Sequence, residues 1–478
     1  MSVLGCGVGL VAGLLSGPLW LDETLSVEIA RLPLPEFYLA LRQDGAPPLY
    51  YLLLKAWMAL AGSGTVAVRL PSVLLTAVAL LLASRLGGQL VRLGSGRAGE
   101  PVAGSRAAVI VLAALPWTMR FGSEARMYLL VVVFVLAGSL ALLAVRRSAS
   151  HRAVLGLTAA VAALLLTHYW SLFLLAAVGL WHLPGALRRS GPAVRVVVAL
   201  LLGGVLFLPW LTTFLFQAAH TGAPWALPTG VPDLVRTPLF WGGGGELWRV
   251  ALAAVLVPLV VIAAVRRPVA RALAGVAVTT LLLAWTQTAV LGGAYTARYS
   301  AVAVPLVAVA AALGALALPG RRLPLGALAL LTAVGVASGV TAAAEPRTSA
   351  AQITAAIRAA AAPGAVVAYC PDQLGPPVQR LLGPSYEQVV YPTLEPAQRI
   401  DWVDYSERQA AADPAAIARR LDALTGSREL VVVAAAGYRT FESQCGELLV
   451  NLTSLRGPAM LSRDTGGTSQ LLFQLPAR

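Results

Sequence analysis

Residues 127–147 read MYLLVVVFVLAGSLALLAVRR. From Met127 to Val145 there is no charged side chain, and then Arg146 and Arg147 close the run. An apolar stretch of roughly 17–25 residues is what a helix needs to cross bilayer hydrocarbon. Arginines at its end mark the side that faces the cytoplasm. The rest of the first 344 residues repeats this pattern. Further spans are expected at 2–20, 67–86, 106–119, 153–167, 170–184, 194–214, 248–265, 271–291, 299–318 and 323–343.

Eleven spans explain where the arginines fall. Arg85, Arg92, Arg97 and Arg106 share one loop, and Arg146, Arg147 and Arg152 the next on that side. Arg188, Arg189 and Arg195 follow, then Arg266, Arg267 and Arg271, and last Arg321 and Arg322. With alternating spans all 15 lie on one side with a single acid, Glu100, while the other side of residues 1–344 carries 9 basic and 8 acidic residues. Fusing 153–184 into one span would put Arg188 and Arg189 on the wrong side. The arginine side is therefore expected to be cytoplasmic and the tail outside, in a multi-pass protein of the plasma membrane. The first span starts at residue 2 without a basic segment before it, so it is expected to stay in place rather than be cleaved.

Composition agrees. Of 478 residues 58% are hydrophobic and 12% charged, with a mean hydropathy of +0.75. Soluble chains carry about 25% charge, so soluble, disordered and collagen-like classes are excluded. The net charge of +14 splits into +15 over residues 1–344 and −1 over 345–478. The excess thus belongs to membrane loops, not to a nucleic-acid surface.

Residues 345–478 change character. Ala365–Cys370, Leu430–Ala436 and Leu471–Leu475 read as short buried strands, and Ala350–Ala362 and Pro414–Leu424 as helices, the second with Asp413 as N-cap. A small extracytoplasmic α/β domain is expected after a membrane domain of residues 1–344. Cys370 and Cys445 fall in it and form a possible disulfide in an oxidising compartment. Asn451-Leu-Thr453 matches a glycosylation sequon.

Polar clusters recur at span ends on the side away from the arginines, where charge is costly and usually functional. Trp20-Leu-Asp22-Glu23 follows span one, and adjacent carboxylates suit general-base work. Asp44-Gly-Ala-Pro-Pro-Leu-Tyr-Tyr51 leads into Lys55 and Trp57, and 48–61 reads as an interfacial helix. Arg69-Leu-Pro-Ser72 offers a guanidinium for a phosphate, or equally a snorkelling arginine. Further clusters are Arg120-Phe-Gly-Ser-Glu124-Ala-Arg126-Met-Tyr128, His168-Tyr169-Trp170 and Tyr295-Thr-Ala-Arg298-Tyr299.

In order and spacing, these six motifs resemble the C-type (GT-C) membrane glycosyltransferases of the protein-mannosyltransferase and aminoarabinose-transferase group, glycosyltransferase family 39. The resemblance covers residues 1–320 and not the tail. It implies a GT-C-like fold and an inverting transferase that takes a sugar, with mannose and arabinose as leading candidates, from a polyprenyl-phosphate donor. The acceptor would be a glycan, lipid or protein of the cell envelope at the outer membrane face. By the resemblance Asp22 is the base and Glu23 positions the acceptor, while Arg69 and Arg298 contact the donor phosphate. Relatives often carry His or Lys where this chain has Ala46, so Lys55 or Arg126 is expected to replace that contact. Tyr51 joins the donor site, and Glu124, His168, Tyr169 and Tyr295 the sugar or acceptor pocket.

No phosphate-binding Gly-x-x-x-x-Gly-Lys-Ser/Thr loop and no His-x-x-x-His or Cys-x-x-Cys spacing occurs in the sequence, so no metal or cofactor is expected. Gly242–Gly245 reads as a hinge rather than a phosphate cradle. Two rival readings are a transporter or flippase of lipid-linked sugars and an inactive glycan-binding scaffold. Polar groups gathered at one face favour surface chemistry over alternating access.

Overall fold

The computed structural model describes residues 1–94, 99–148, 150–222, 226, 228–293, 295–435, 443–462 and 470–477; Arg97 and Ala436 lie outside the described residues. The chain divides into two compact units. The first comprises Met1–Ser16, Ala46–Phe214 and Leu227–Glu345, and the second Gly17–Gly45, Leu215–Ala226 and Pro346–Arg478. One of the divisions between the units falls at Glu345–Pro346. The second unit also takes two earlier segments that a single cut at 344 assigned to the membrane domain.

The first unit is helical. Among the described residues six helices are long and apolar enough to cross a membrane: Thr65–Gly94, Tyr128–Arg147, Gly191–His220, Glu246–Arg266, Pro268–Leu291 and Arg322–Ala344. Each expected span overlaps a helix, but five of those helices are shorter than 18 residues. Span 2–20 is helical only over Ser2–Leu14, and Gly17 beyond it takes a positive φ of 99°. Span 106–119 breaks where Leu115 is extended before Pro116, since proline clashes with a helical residue in front of it.

Span 299–318 departs furthest from expectation. Its first residues form the 3-10 turn Ala297–Val302, and the helix Val304–Ala315 that follows is buried along its whole length. At about 1.5 Å per residue this helix is far shorter than the roughly 30 Å of hydrocarbon. It is the core around which its neighbours pack. Small residues make that possible, because without a hydrophobic drive between helices close backbone approach supplies the attraction. A Cβ on Gly314 would lie 1.8 Å from the Leu259 carbonyl oxygen, so only glycine fits there.

The second unit is a five-stranded sheet of β1 (Val366–Cys370), β2 (Glu387–Val390), β3 (Leu430–Ala435), β4 (Met460–Ser462) and β5 (Gln470–Leu475), in spatial order β2-β1-β3-β5-β4. β1 pairs in parallel with β2 and β3, and β5 runs antiparallel to β3 and β4. Parallel strands need cover on both faces, and alternation supplies two cores. Val366, Ala368, Val389, Val432 and Leu475 pack on one face with Ile417, Leu421 and Leu448. Val367, Tyr369, Val431, Val433 and Leu472 pack on the other with Ile353, Ile357 and Val378. Leu25, from the helix Leu21–Arg31, joins the first of these cores. That contact explains why a segment so early in the chain belongs to this unit.

Asp413 caps the helix Pro414–Thr425, its Oδ1 accepting the amides of Ala415 (2.9 Å) and Ala416 (3.1 Å). Cys370 and Cys445 are bonded, with Cα atoms 5.6 Å apart.

Asp372, just beyond β1, is buried and accepts a 2.6 Å hydrogen bond from the Tyr405 hydroxyl. Burial pushes its carboxyl up to about 7, against the pull of the Tyr405 bond and the Arg408 charge. An acid raised on folding stabilises fully below its unfolded value, near pH 4, and that contribution is lost as pH rises toward 7. Amide exchange in β1 and β3, corrected for intrinsic rates, is therefore expected to quicken between pH 5 and pH 8. Asp372→Asn is expected to flatten the trend, and an unchanged trend in that variant would contradict the assignment.

Candidate active site

In the first unit, five of the quoted motifs meet through specific bonds between loops. The helix Leu49–Ala61 begins with the Leu49 amide donating to the Leu166 carbonyl at 2.9 Å. This ties the Pro-Pro-Leu-Tyr-Tyr segment to the turn that carries His168. Tyr51 is fully buried and meets Tyr50 edge-on at 5.7 Å, while Lys55 is half-buried on the same helix. The Ser72 hydroxyl donates to the Glu124 carbonyl at 2.5 Å, joining the Arg-Leu-Pro-Ser segment to the Glu-Ala-Arg loop.

His168 is the hub. Its ring lies 6.1 Å from that of Tyr128 and 5.1 Å from that of Tyr299. The Trp170 amide donates to its Nδ1 at 3.1 Å, so Nδ1 must accept and the ring proton sits on Nε2. Burial first, then the charges of Arg126 and Arg298, push its pKa down to about 3. Two guanidinium groups from separate loops thus act on one neutral imidazole. Arg126 and Arg298 are both half-buried, the second with its guanidinium carbon 5.4 Å from the Tyr299 ring centre. Paired guanidinium groups are suited to a phosphate.

The turn that holds Arg298 is pinned. Trp241 Nε1 donates to Ser300 Oγ at 2.8 Å, and Ser300 donates to the Ala297 carbonyl at 2.6 Å. Tyr295 bonds Thr237 at 2.9 Å and packs on Trp170, ring centres 5.1 Å apart. Tyr169 accepts from Trp210 Nε1 at 2.9 Å.

Other expected members of the site have structural partners. The Arg69 guanidinium is fully buried, and its Nη1 donates to the carbonyls of Gly13 (3.4 Å) and Leu14 (3.2 Å). Those carbonyls close the helix Ser2–Leu14, where a cation is favoured, and that of Gly13 also accepts from the Ser16 hydroxyl at 2.8 Å. These contacts tie the guanidinium, expected from the sequence at the donor phosphate, to the end of that helix. Glu124 is buried, with Oε1 accepting from Arg120 Nε at 3.0 Å, which turns the carboxylate toward its own loop.

At Gly242–Gly245 the carbonyls of Gly243 and Gly244 accept from Arg249 Nε at 3.3 and 3.1 Å. Phosphate would need amides instead. Gly243 has φ +58°, and a Cβ there would sit 2.6 Å from the Pro116 side chain. The run is a tight connection between packed helices.

The acidic pair lies in the second unit. Asp22 occupies the first turn of the helix Leu21–Arg31 and is half-buried. Glu23 is fully buried, accepting from the Trp20 amide at 3.3 Å and facing Arg347 Nη1 at 3.6 Å. The two neighbouring acids are therefore unlike: Glu23 is fully buried and fixes the helix start, whereas Asp22 is half-buried in its first turn.

Sequence reasoning missed Arg347, Thr237 and Trp241. Arg347 follows the last span closely, but nothing in its spacing ties it to residue 23. Among the described residues no group of three or more His, Cys, Asp and Glu side chains could hold a metal ion.

No family model matches the sequence, and no curated protein matches it. Solved structures do. ArnT from Cupriavidus metallidurans in the apo state aligns with a TM-score of 0.60 at 13% identity, over 99% of this chain and 97% of that one. ArnT bound to undecaprenyl phosphate aligns equally well at 14% identity, over the same shares of the two chains. The arabinosyltransferase EmbB from Mycobacterium smegmatis aligns with a TM-score of 0.43 at 19% identity, over 66% of this chain and 30% of that one. The chain thus has the ArnT fold along nearly its whole length.

If the imidazole is neutral as described, ¹⁵N spectra of histidine-labelled protein are expected to show His168 as the Nε2–H tautomer with no titration between pH 5 and pH 8. A midpoint inside that window would mean that the ring is not buried as described.

Proposed function

We propose that the protein is a polyprenyl-phosphate-dependent glycosyltransferase of the outer membrane face that works with inversion. What carries this reading is the meeting at His168 of the Tyr128 and Tyr299 rings, from the two motifs that carry Arg126 and Arg298. The likeness in fold to an ArnT bound to undecaprenyl phosphate supports it. The second unit is then extracytoplasmic, eleven helices cross or enter the bilayer, and the arginine-rich loops face the cytoplasm.

The chemistry divides between two sets of residues. Arg126 and Arg298 hold the donor phosphate, with Lys55 and Tyr51 on the adjoining helix. Neutral His168 adds no third positive charge beside them and can donate from Nε2. Glu124, Tyr169 and Tyr295 shape the sugar pocket. Asp22 takes the proton of an acceptor hydroxyl as its oxygen attacks the anomeric carbon. The bond from that carbon to the phosphate oxygen breaks, and its electron pair leaves with the polyprenyl phosphate. The guanidinium groups stabilise the charge that develops there. Glu23 acts through Trp20 and Arg347 by fixing the helix that carries Asp22. Mannose and arabinose are the sugars proposed, and an envelope glycan, lipid or protein is the acceptor.

Asp22→Asn keeps shape and removes basicity, so turnover is expected to fall about 10²–10⁴-fold with donor binding little changed. Arg298→Ala is expected to weaken donor binding by about 1.5–3 kcal/mol, the range for a hydrogen bond to a charged group. Arg69→Leu is expected to lower the melting temperature instead, through loss of the helix cap. Steady-state transfer rates, binding of undecaprenyl phosphate and thermal melts check these three. Normal turnover in Asp22→Asn would remove the proposed base.

A further inference from the structure

The second unit holds a cavity of about 510 Å³ that the chemistry above does not use. It lies at the carboxyl ends of the parallel strands. Gln373 stands three residues beyond Cys370, where β1 ends, and Gln470 starts β5 opposite Ala435, where β3 ends. The chain leaves β1 for β2 on one side and returns to β3 on the other. In open α/β sheets that reversal leaves a crevice in which ligands bind.

The lining is polar but carries little charge. Trp20, Thr348, Ser349, Gln352, Gln373 and Gln470 surround it with an indole, hydroxyls and carboxamides. Arg347 also lines it, but its charge is met by Glu23 at 3.6 Å. A phosphate or nucleotide would need a cation to spare.

Gln373 supplies the decisive observation. It is more than nine-tenths buried, and its Nε2 donates to the Tyr405 hydroxyl at 2.8 Å. When Asp372 is ionised it takes the single Tyr405 proton at 2.6 Å, and toward Gln373 the hydroxyl then accepts. This fixes the amide orientation and leaves Oε1 with no hydrogen-bond partner among the described residues. A buried carbonyl oxygen without a donor costs stability and calls for a reason.

We propose that this crevice binds a neutral saccharide, the hydroxyl-rich part of the acceptor, with a sugar face on Trp20 and a sugar hydroxyl donating to Gln373 Oε1. This rests on the glycosyltransferase reading and gives its acceptor a chemical class. Indole rings offer a flat apolar face to the C–H side of a sugar, while amides and hydroxyls pair with its rim. Trp20 directly precedes the helix that starts with Leu21-Asp22. A saccharide held there lies beside the proposed base.

The test uses the full-length protein in lipid nanodiscs with mannotriose and arabinotriose as neutral probes and a sulfated heparin disaccharide as the charged comparator. Saturation-transfer NMR is expected to report binding of a neutral probe and none of the sulfated one. Gln373→Leu and Gln352→Ala are each expected to weaken it about five- to tenfold, with undecaprenyl phosphate binding unchanged. Gln352 is exposed on its helix, so its variant keeps the test open should Gln373→Leu fail to fold. Neutral probes that do not bind, or that bind both variants as they bind the parent, overturn the proposal, as does preference for the sulfated probe. The two readings fail separately. Saccharide binding lost in the variants, in a protein that consumes no prenyl-phosphate sugar, upholds the crevice and removes the transferase. Transfer that proceeds while the variants bind saccharide normally removes the crevice alone.

Discussion

The charges of Arg126 and Arg298 fall on a buried imidazole, and that imidazole can lie there only as a neutral group. An uncompensated cation beside it would carry a large desolvation cost. The Trp170 amide settles the matter by taking Nδ1 as its acceptor. Much of the first unit serves this arrangement. Trp241 and Ser300 hold the turn of Arg298, and the carbonyl of Leu166 ties the His168 turn to the next helix.

The second unit uses the opposite strategy. Its buried charges are matched within the fold, Glu23 by Arg347 and Arg456 by Asp422 at 2.8 Å. Buried pairs of this kind add little net stability but are costly to break, so they fix geometry. Asp22, next to that paired carboxylate, is only half-buried. Two neighbouring acids in one sequence motif therefore have different tasks.

Much of this was legible beforehand, for a physical reason. Charge and apolarity in a membrane chain are constrained by the bilayer, so the arginine loops and the apolar runs marked the helices even where their lengths differed. The strands Val366–Cys370 and Leu430–Ala435 and the cap at Asp413 followed from local rules in the same way. What stayed hidden depends on contacts distant in sequence. Hydropathy could not tell that Leu25 packs beneath the sheet, nor that Val304–Ala315 is buried along its whole length. The motif around Arg69 identified an arginine of consequence but not its partners, the carbonyls of Gly13 and Leu14. By contrast the resemblance grouped the motifs at 126, 168 and 298 in one site, and the fold adds that the Tyr128 and Tyr299 rings meet the His168 imidazole.

The most direct test of the central claim is turnover. Purified full-length protein in lipid nanodiscs would be given a panel of undecaprenyl-phosphate sugars with envelope glycans, and both the released undecaprenyl phosphate and the new linkage followed by mass spectrometry and NMR. The account predicts that at least one donor is consumed and that the anomeric configuration of the transferred sugar is inverted. A product of retained configuration, or a donor moved across the bilayer without being consumed, would contradict it.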